Sequence, residues 1–268
     1  MLKTLFSITA LAALMTPAFG ADGTTLINQA TVNAAGGFPY HINTTGSYRL
    51  AGNLVAMNTT ALIIGGGNIT LDLNGFTITC LACSGVPGIL SNNVNTTIQN
   101  GLVNGFAGGT ALSFTTTGAK VDHIIETASG TGIGTSGPDV TVTNSSLLNN
   151  TYGIGGASAQ VTAINCIITG NIQDGIDVFS GLIAGNIISN NGNGGTFTRG
   201  GVIFFGGIVN VRDNLISGNT VFGVGIGNST NAGVLGLASN TFGGNINDYV
   251  VTVNIVTNHS NVCAGGTC

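Results

Sequence analysis

Charge is the scarcest ingredient of this 268-residue chain. Only 5% of its residues are Asp, Glu, Lys or Arg, where an ordinary globular protein carries ~25%. Lys and Arg number five against nine acids, so there is no basic patch to neutralise phosphates, and nucleic acid is excluded as a partner. Tryptophan is absent and proline occurs four times. Low charge signals disorder when hydrophobicity is also low, but 43% of the residues are hydrophobic, which predicts a packed chain. No pattern of helical period runs for ten residues, so helix is not the building unit. Glycine runs such as Gly65-Gly66-Gly67 lack the Lys-Ser/Thr and following helix of a phosphate-binding loop.

The first twenty residues stand apart from the rest. Lys3 precedes the apolar run 5–15, and Ala18 and Gly20 place small residues at the end of it. A basic start, a short apolar centre and small residues at the −3 and −1 positions predict a secretory leader, residues 1–20, cleaved after Gly20. The apolar run is too short for the ~20 residues that span a bilayer, and no later segment is long enough. The mature chain is therefore expected to be secreted, to periplasm or medium, with no membrane span.

What the chain has in abundance is glycine, 45 residues of it, and a period. The pairs Gly88-Ile89, Thr110-Ala111, Gly132-Ile133, Gly153-Ile154, Gly175-Ile176, Gly201-Val202 and Gly223-Val224 recur at spacings of 22, 22, 21, 22, 26 and 22. A second series, Asn74, Asn100, His123, Asn144, Asn165, Asn186, Asn214 and Asn240, keeps step with the first. After most of its members come an apolar pair and another asparagine, as at Asn171, Asn190 and Asn219. Such self-similarity marks a solenoid. Runs such as Val140-Thr-Val-Thr143 alternate with period two, as strands do, and Gly and Asn between them supply the positive φ of tight bends. The prediction is an all-β, right-handed parallel β-helix of about nine coils, roughly 40 Å long at the strand spacing. Apolar columns fill it, and the eight-member Asn/His series serves as a structural ladder of hydrogen bonds at one corner.

A solenoid has exposed strand edges at both ends and needs caps. Residues 21–57, with Pro39, Tyr40, Tyr48 and Arg49, are expected to form the N-terminal cap, 58–247 the repeats and 248–268 the C-terminal cap. In an exported chain Cys263 and Cys268 suit a disulfide staple. Cys80 and Cys83 are either a second disulfide or two inert thiols, and Cys166, beside apolar residues, is expected to be buried.

The stretches TTGSYRLAGNL and NITLDLNGFTIT, the coils around I-I-S/T-x-N, and the terminal NVCAGGTC resemble the bacterial secreted right-handed β-helix repeat proteins of the pectate-lyase-like solenoid superfamily. The resemblance spans the mature chain. It implies the fold, and more loosely polysaccharide chemistry, since that fold also carries polysaccharide-degrading enzymes.

Chemistry would need charges in register on an outward face. The column that follows each Gly-Ile pair is expected to be Leu90, Leu112, Gly134, Gly155, Asp177, Ile203 and Gly225, in which Asp177 alone is charged. The local exception is a cluster around an enlarged coil: Asp174 and Asp177, then Phe197 and Arg199 in the inserted loop, then Arg212 and Asp213. These six are candidates for carbohydrate binding, and the bland reading of Asp174 and Arg199 is a surface ion pair. Asp122 and Glu126 flank His123, but alternation along a strand predicts that Asp122 and His123 face apart.

So bare an outward column points away from catalysis, towards an exported β-helix that acts as a structural or carbohydrate-binding surface, needs no cofactor or metal, and meets a polysaccharide or cell-surface glycan. Ile203 and Phe205, an apolar outward pair, are expected to seat a partner or a covering loop. The alternative is a polysaccharide lyase or glycoside hydrolase for an acidic polymer, using Asp174, Asp177, Arg199 and Asp213; Ca2+ enters only with the lyase. A third class, an adhesin-like oligomer, needs no site.

Overall fold

The computed structural model describes residues 23–194, 199–227, 233–249, 254–258, 260–264 and 266–267. The leader, Phe197 and Cys268 lie outside the described residues.

The chain is a right-handed parallel β-helix of about ten turns, with almost no helix. Each coil lays one strand on each of three faces. The first face stacks Leu62–Ile64, Ile89–Ser91, Thr110–Phe114, Thr131–Thr135 and their successors up to Asn247–Tyr249; every pairing along it is parallel. The second runs from Thr25–Ile27 through Gly46–Leu50 and Ile69–Asp72 to Asn254–Asn258. The third, narrowest face carries three-residue strands such as Ser146–Leu148, Ile167–Thr169 and Ile187–Ser189.

Aliphatic side chains fill the interior in columns. On the first face Leu62, Ile89, Leu112, Ile133, Ile154, Ile176, Val202 and Val224 stack in register, all buried. This alignment places Leu112, not Ala111, in the column, one residue later than the sequence spacing suggested, although both are buried. Ser113 consequently replaces Leu112 in the outward column, because the coil from Ile89 to Leu112 is a residue longer and the next a residue shorter. Glycine precedes the core residue for a steric reason. A Cβ on Gly153 would sit 2.4 Å from the carbonyl oxygen of Gly175, and one on Gly175 would sit 2.5 Å from that of Gly201. The coils approach too closely there for any side chain.

The Asn/His series resolves into two adjacent columns rather than one ladder. Asn74, Asn100, His123, Asn144 and Asn165 all have φ between 50 and 58°, with Asp213 (58°) and Ser239 (54°) continuing their column. These residues turn the corner in the left-handed region, which Asn tolerates best among residues with a Cβ. Asn186, Asn214 and Asn240 belong to the next column, which starts at Ser145 and Cys166 and ends at Asn261. Their side chains point inward and are buried. Each Oδ1 accepts the backbone N–H of the equivalent residue one coil earlier: Asn186 from Cys166 at 2.8 Å, Asn214 from Asn186 at 2.8 Å, Asn240 from Asn214 at 3.1 Å. Each Nδ2 donates onward, as Asn214 does to the Oδ1 of Asn240 at 3.0 Å and to the carbonyl of Ile183 at 2.9 Å. The one-residue slip arises because the coil from Cys166 to Asn186 spans 20 residues, so Gly185, not Asn186, succeeds Asn165 at the corner.

Five residues further on, a second ladder repeats the device. Asn150, Asn171, Asn191, Asn219 and Asn245 pass the same bonds from coil to coil at 3.0–3.1 Å. Asn191 holds the inward place here, while Asn190 (φ 54°) makes the turn before it.

The ends differ from the expected caps. Strands within 21–57 already stack on the repeats, since Gly46–Leu50 pairs with Ile69–Asp72 and Leu54–Met57 with Thr77–Leu81. The true lid is the short helix Gln29–Ala34, whose N-cap Asn28 accepts a hydrogen bond from Thr31 and whose Val32 is buried over the first coil. Stacking likewise continues past 248, where Asn254–Asn258 pairs with Val234–Ala238, before the antiparallel pairing of Val262–Cys263 with Gly266–Thr267. Cys80 and Cys83 form a disulfide, Cys166 is free and buried, and Cys263 is disulfide-bonded.

The two columns predict opposite responses to substitution. Asn214→Ala strands buried donors and acceptors on both neighbouring coils and should lower stability by about 2–4 kcal/mol. Asn165→Gly keeps the left-handed corner and should change it by less than about 1 kcal/mol. Denaturant midpoints of the two variants, read side by side, test the assignment.

Candidate functional site

The enlarged coil creates the site. Between Ile176 and Val202 the chain takes 26 residues to come round, and Arg199 stands three residues before Val202. From there Arg199 reaches back across two coils. Its guanidinium nitrogen lies 3.0 Å from Asp174 Oδ2 and 3.1 Å from the hydroxyl of Tyr152, with its carbon 5.5 Å from the centre of the Tyr152 ring. The backbone N–H of Gly200 donates to the other oxygen of Asp174 at 2.9 Å. Asp174 is only 2% exposed. The pair is thus a buried, hydrogen-bonded anchor rather than a surface ion pair.

Asp177 lies beside it, three residues along the same coil and 9% exposed. Burial pushes its carboxyl well above the usual range, and the neighbouring Asp174 pushes it further. Burial also raises Asp174, against hydrogen bonds from Gly200 and Arg199. Each carboxylate makes ionisation of the other less favourable. Of the two, Asp174 is the better stabilised as an anion, because the guanidinium and an amide N–H already serve its oxygens. Asp177 Oδ1 is buried and lacks a hydrogen-bond partner.

Outward from Asp177 the column continues as Gly155 and Gly134. With no side chains there, a concavity of about 440 Å³ opens, lined by Thr131, Thr135, Ser136, Tyr152, Gly155, Ala157, Ser158 and Asp177. Its walls carry hydroxyls, one phenol and one carboxyl.

The structure brings together Asp174, Asp177 and Arg199 of the sequence candidates. It separates Arg212 and Asp213, which pair with each other at 2.7 Å on the second face, half exposed; Asp213 owes its place to the corner. Ile203 is 1% exposed, so the expected apolar docking pair is not available, and Phe205 is half-buried. Asp122 and His123 do converge, at 2.7 Å, since the positive φ of His123 swings its ring back. Burial raises Asp122, but hydrogen bonds from Thr143, His123 and Asn144 outweigh it and hold the carboxyl below its ordinary value. Asp72 accepts from the backbone of Asn74 and the side chain of Asn100. Tyr152 was missed; the signal for it was its place in the column of Thr131, one coil before Asp174.

Glu126 was also missed as a buried group. It stands in a core column between Val103 and Leu147, fully buried, and accepts a hydrogen bond from Asn150 at the head of the second ladder. Gly132 makes room for it: a Cβ there would lie 2.5 Å from Glu126 Oε2. Among the described residues no cluster of three His, Cys, Asp or Glu side chains could hold a metal ion, and no helix is long and apolar enough to cross a membrane.

No family model matches the chain, and no curated protein does. Among solved structures it is similar to the A-module of the Azotobacter vinelandii mannuronan C-5 epimerase AlgE6. The identity is 15%, the alignment covers 88% of this chain and 94% of that one, and the TM-score is 0.48.

Burial raises Glu126 to about 7 from 4.5, against hydrogen bonds from Ser129 and Asn150. Between those values the folded chain binds more protons than the unfolded one, so stability falls as pH rises through the window. The loss should be about 3 kcal/mol by pH 8. Glu126→Gln should flatten that slope and raise the melting temperature at pH 8 more than at pH 4, read by circular dichroism.

Proposed function

We propose that the protein is an exported, polysaccharide-binding β-helix, whose contact surface is the concavity at Tyr152, Gly155 and Asp177 and which binds there without turnover. Export rests on the leader signature of residues 1–20 and is consistent with the Cys80–Cys83 disulfide. The observation that carries the binding reading is the open hollow itself, lined by hydroxyls and a phenol with the largely buried carboxyl of Asp177 at its edge. Thr131, Thr135, Ser136, Ser158 and the phenol of Tyr152 offer the surrounding donors and acceptors that a polyhydroxylated ligand uses.

Binding is favoured over hydrolysis by the geometry of the acids. Glycosidases hold two carboxyls about 5–9.5 Å apart on either side of the scissile bond. Here Asp174 is committed to Arg199 and Gly200, which leaves Asp177 as the one carboxyl lining the hollow. The lyase alternative asks for calcium ligands, and Asp174 and Asp177 alone do not form such a set.

Affinity electrophoresis through neutral polymers (hydroxyethylcellulose, galactomannan) and acidic ones (alginate, polygalacturonate) tests this. The wild-type chain should be retarded by at least one polymer. Asp177→Ala should weaken retardation about tenfold, ~1.4 kcal/mol, and Asp177→Asn, which keeps the acceptor and is uncharged, should retain it. Release of reducing ends or unsaturated uronate from any of these polymers, lost in Asp177→Asn, would instead establish catalysis.

A further inference from the structure

Two residues beyond Asp177 the coil bends onto the second face, and a separate concavity of about 470 Å³ opens there. It is lined by Gln160, Thr162, Phe179, Ser180, Ile208 and Asn210, together with Leu182, Gly181 and Gly207. Phe179 is 40% exposed and Ile208 60% exposed, although a Phe side chain gains most from burial. The ring is held in place all the same. A Cβ on Gly207 would lie 3.1 Å from its Cε1 and 3.0 Å from the Cβ of Ser180, so the ring lies along bare backbone of the next coil. Gly207, at φ 68°, sits in the region that favours glycine.

The chemistry around the ring is selective. No charged side chain lines the hollow. Two primary amides, Gln160 and Asn210, and two hydroxyls, Thr162 and Ser180, surround an aromatic platform and an aliphatic one. Amides can donate and accept at once, which suits vicinal hydroxyls, while the C–H face of a sugar ring suits Phe179. An anionic sugar would find no cation there, since the nearest Arg of that strand, Arg212, is paired with Asp213.

We propose that this hollow is a second sugar subsite, taking a neutral hexopyranose ring stacked on Phe179, in a polymer that also crosses the Asp177 concavity. The two subsites are two residues apart along the chain, at most about 7 Å of backbone, the scale of neighbouring rings in a polysaccharide. This inference rests on the polysaccharide-binding reading and specifies it: the ligand is neutral at Phe179.

The same electrophoresis, run on wild type, Phe179→Ala and Asp177→Ala, tests it, with circular dichroism confirming that each variant is folded. Retardation of wild type by hydroxyethylcellulose or galactomannan is expected, with a loss of about tenfold or more in Phe179→Ala. Because the chain has no Trp, Phe179→Trp adds its sole indole, whose emission should shift when the retarding polymer is added. If Asp177→Ala weakens binding and Phe179→Ala does not, the subsite is overturned while the first concavity stands. If wild type is retarded by the acidic polymers alone, the neutral subsite is overturned and the general reading survives. If no polymer retards it, both fall.

Discussion

Everything in this molecule depends on how each coil finds hydrogen-bond partners in the one above. Strand segments do so through parallel backbone bonds, but a corner breaks the ladder and exposes N–H groups to an apolar interior, where an unpaired donor costs about 1–3 kcal/mol. From about residue 145 onward the chain meets this with a two-residue device used at two corners of the coil. One residue turns in the left-handed region; the next points an amide inward, where its oxygen takes the N–H of the preceding coil and its nitrogen gives to the next. Neutral amides fit because they both accept and donate without carrying charge into the core. The poverty of charge in the composition and the wealth of Asn are therefore one constraint seen twice.

That constraint fixes where chemistry can occur. On the first face, coils of even length leave the outward column almost without charge, and Asp177 is its one carboxyl. Where the coil between Ile176 and Val202 lengthens, the surplus chain carries Arg199 back over Asp174 and Tyr152, and one buried ion pair becomes tolerable because both partners are hydrogen-bonded. Burial, with that anchored carboxylate beside it, raises the carboxyl of Asp177 well above the usual range. Glycines at 134 and 155 in the same column then leave the acid facing an open hollow instead of a wall of side chains.

Glu126 shows the other outcome of the same rule. It intrudes on an apolar column, yet it sits at the end of the second amide ladder, where Asn150 donates to it. A ladder that ended in an aliphatic residue would leave that amide proton unpaired. A carboxyl whose pKa burial lifts to about 7 accepts that amide proton at the expense of a pH-dependent stability.

Much of this was legible in the residues alone. Recurrence at about 21 to 26 residues, period-two runs and Gly/Asn punctuation specify a parallel solenoid, because only stacked coils give equivalent positions equivalent surroundings. The cluster at 174–199 was also visible as charges beside a lengthened repeat. What spacing could not resolve was phase: coils of 20 to 28 residues shift by one without warning, and in a strand one residue decides inside from outside. That is why Asn165 and Asn186 looked alike, why Leu112 stood in the wrong column, why the burial of Glu126 was not foreseen and why Tyr152 went unremarked. The repeat itself was determined by composition and period, which are local. Which carboxyl is anchored by an arginine, which is raised by burial, and which face is open were decided only by the stacking of one coil upon the next, since burial and through-space partners do not exist until the rod has formed.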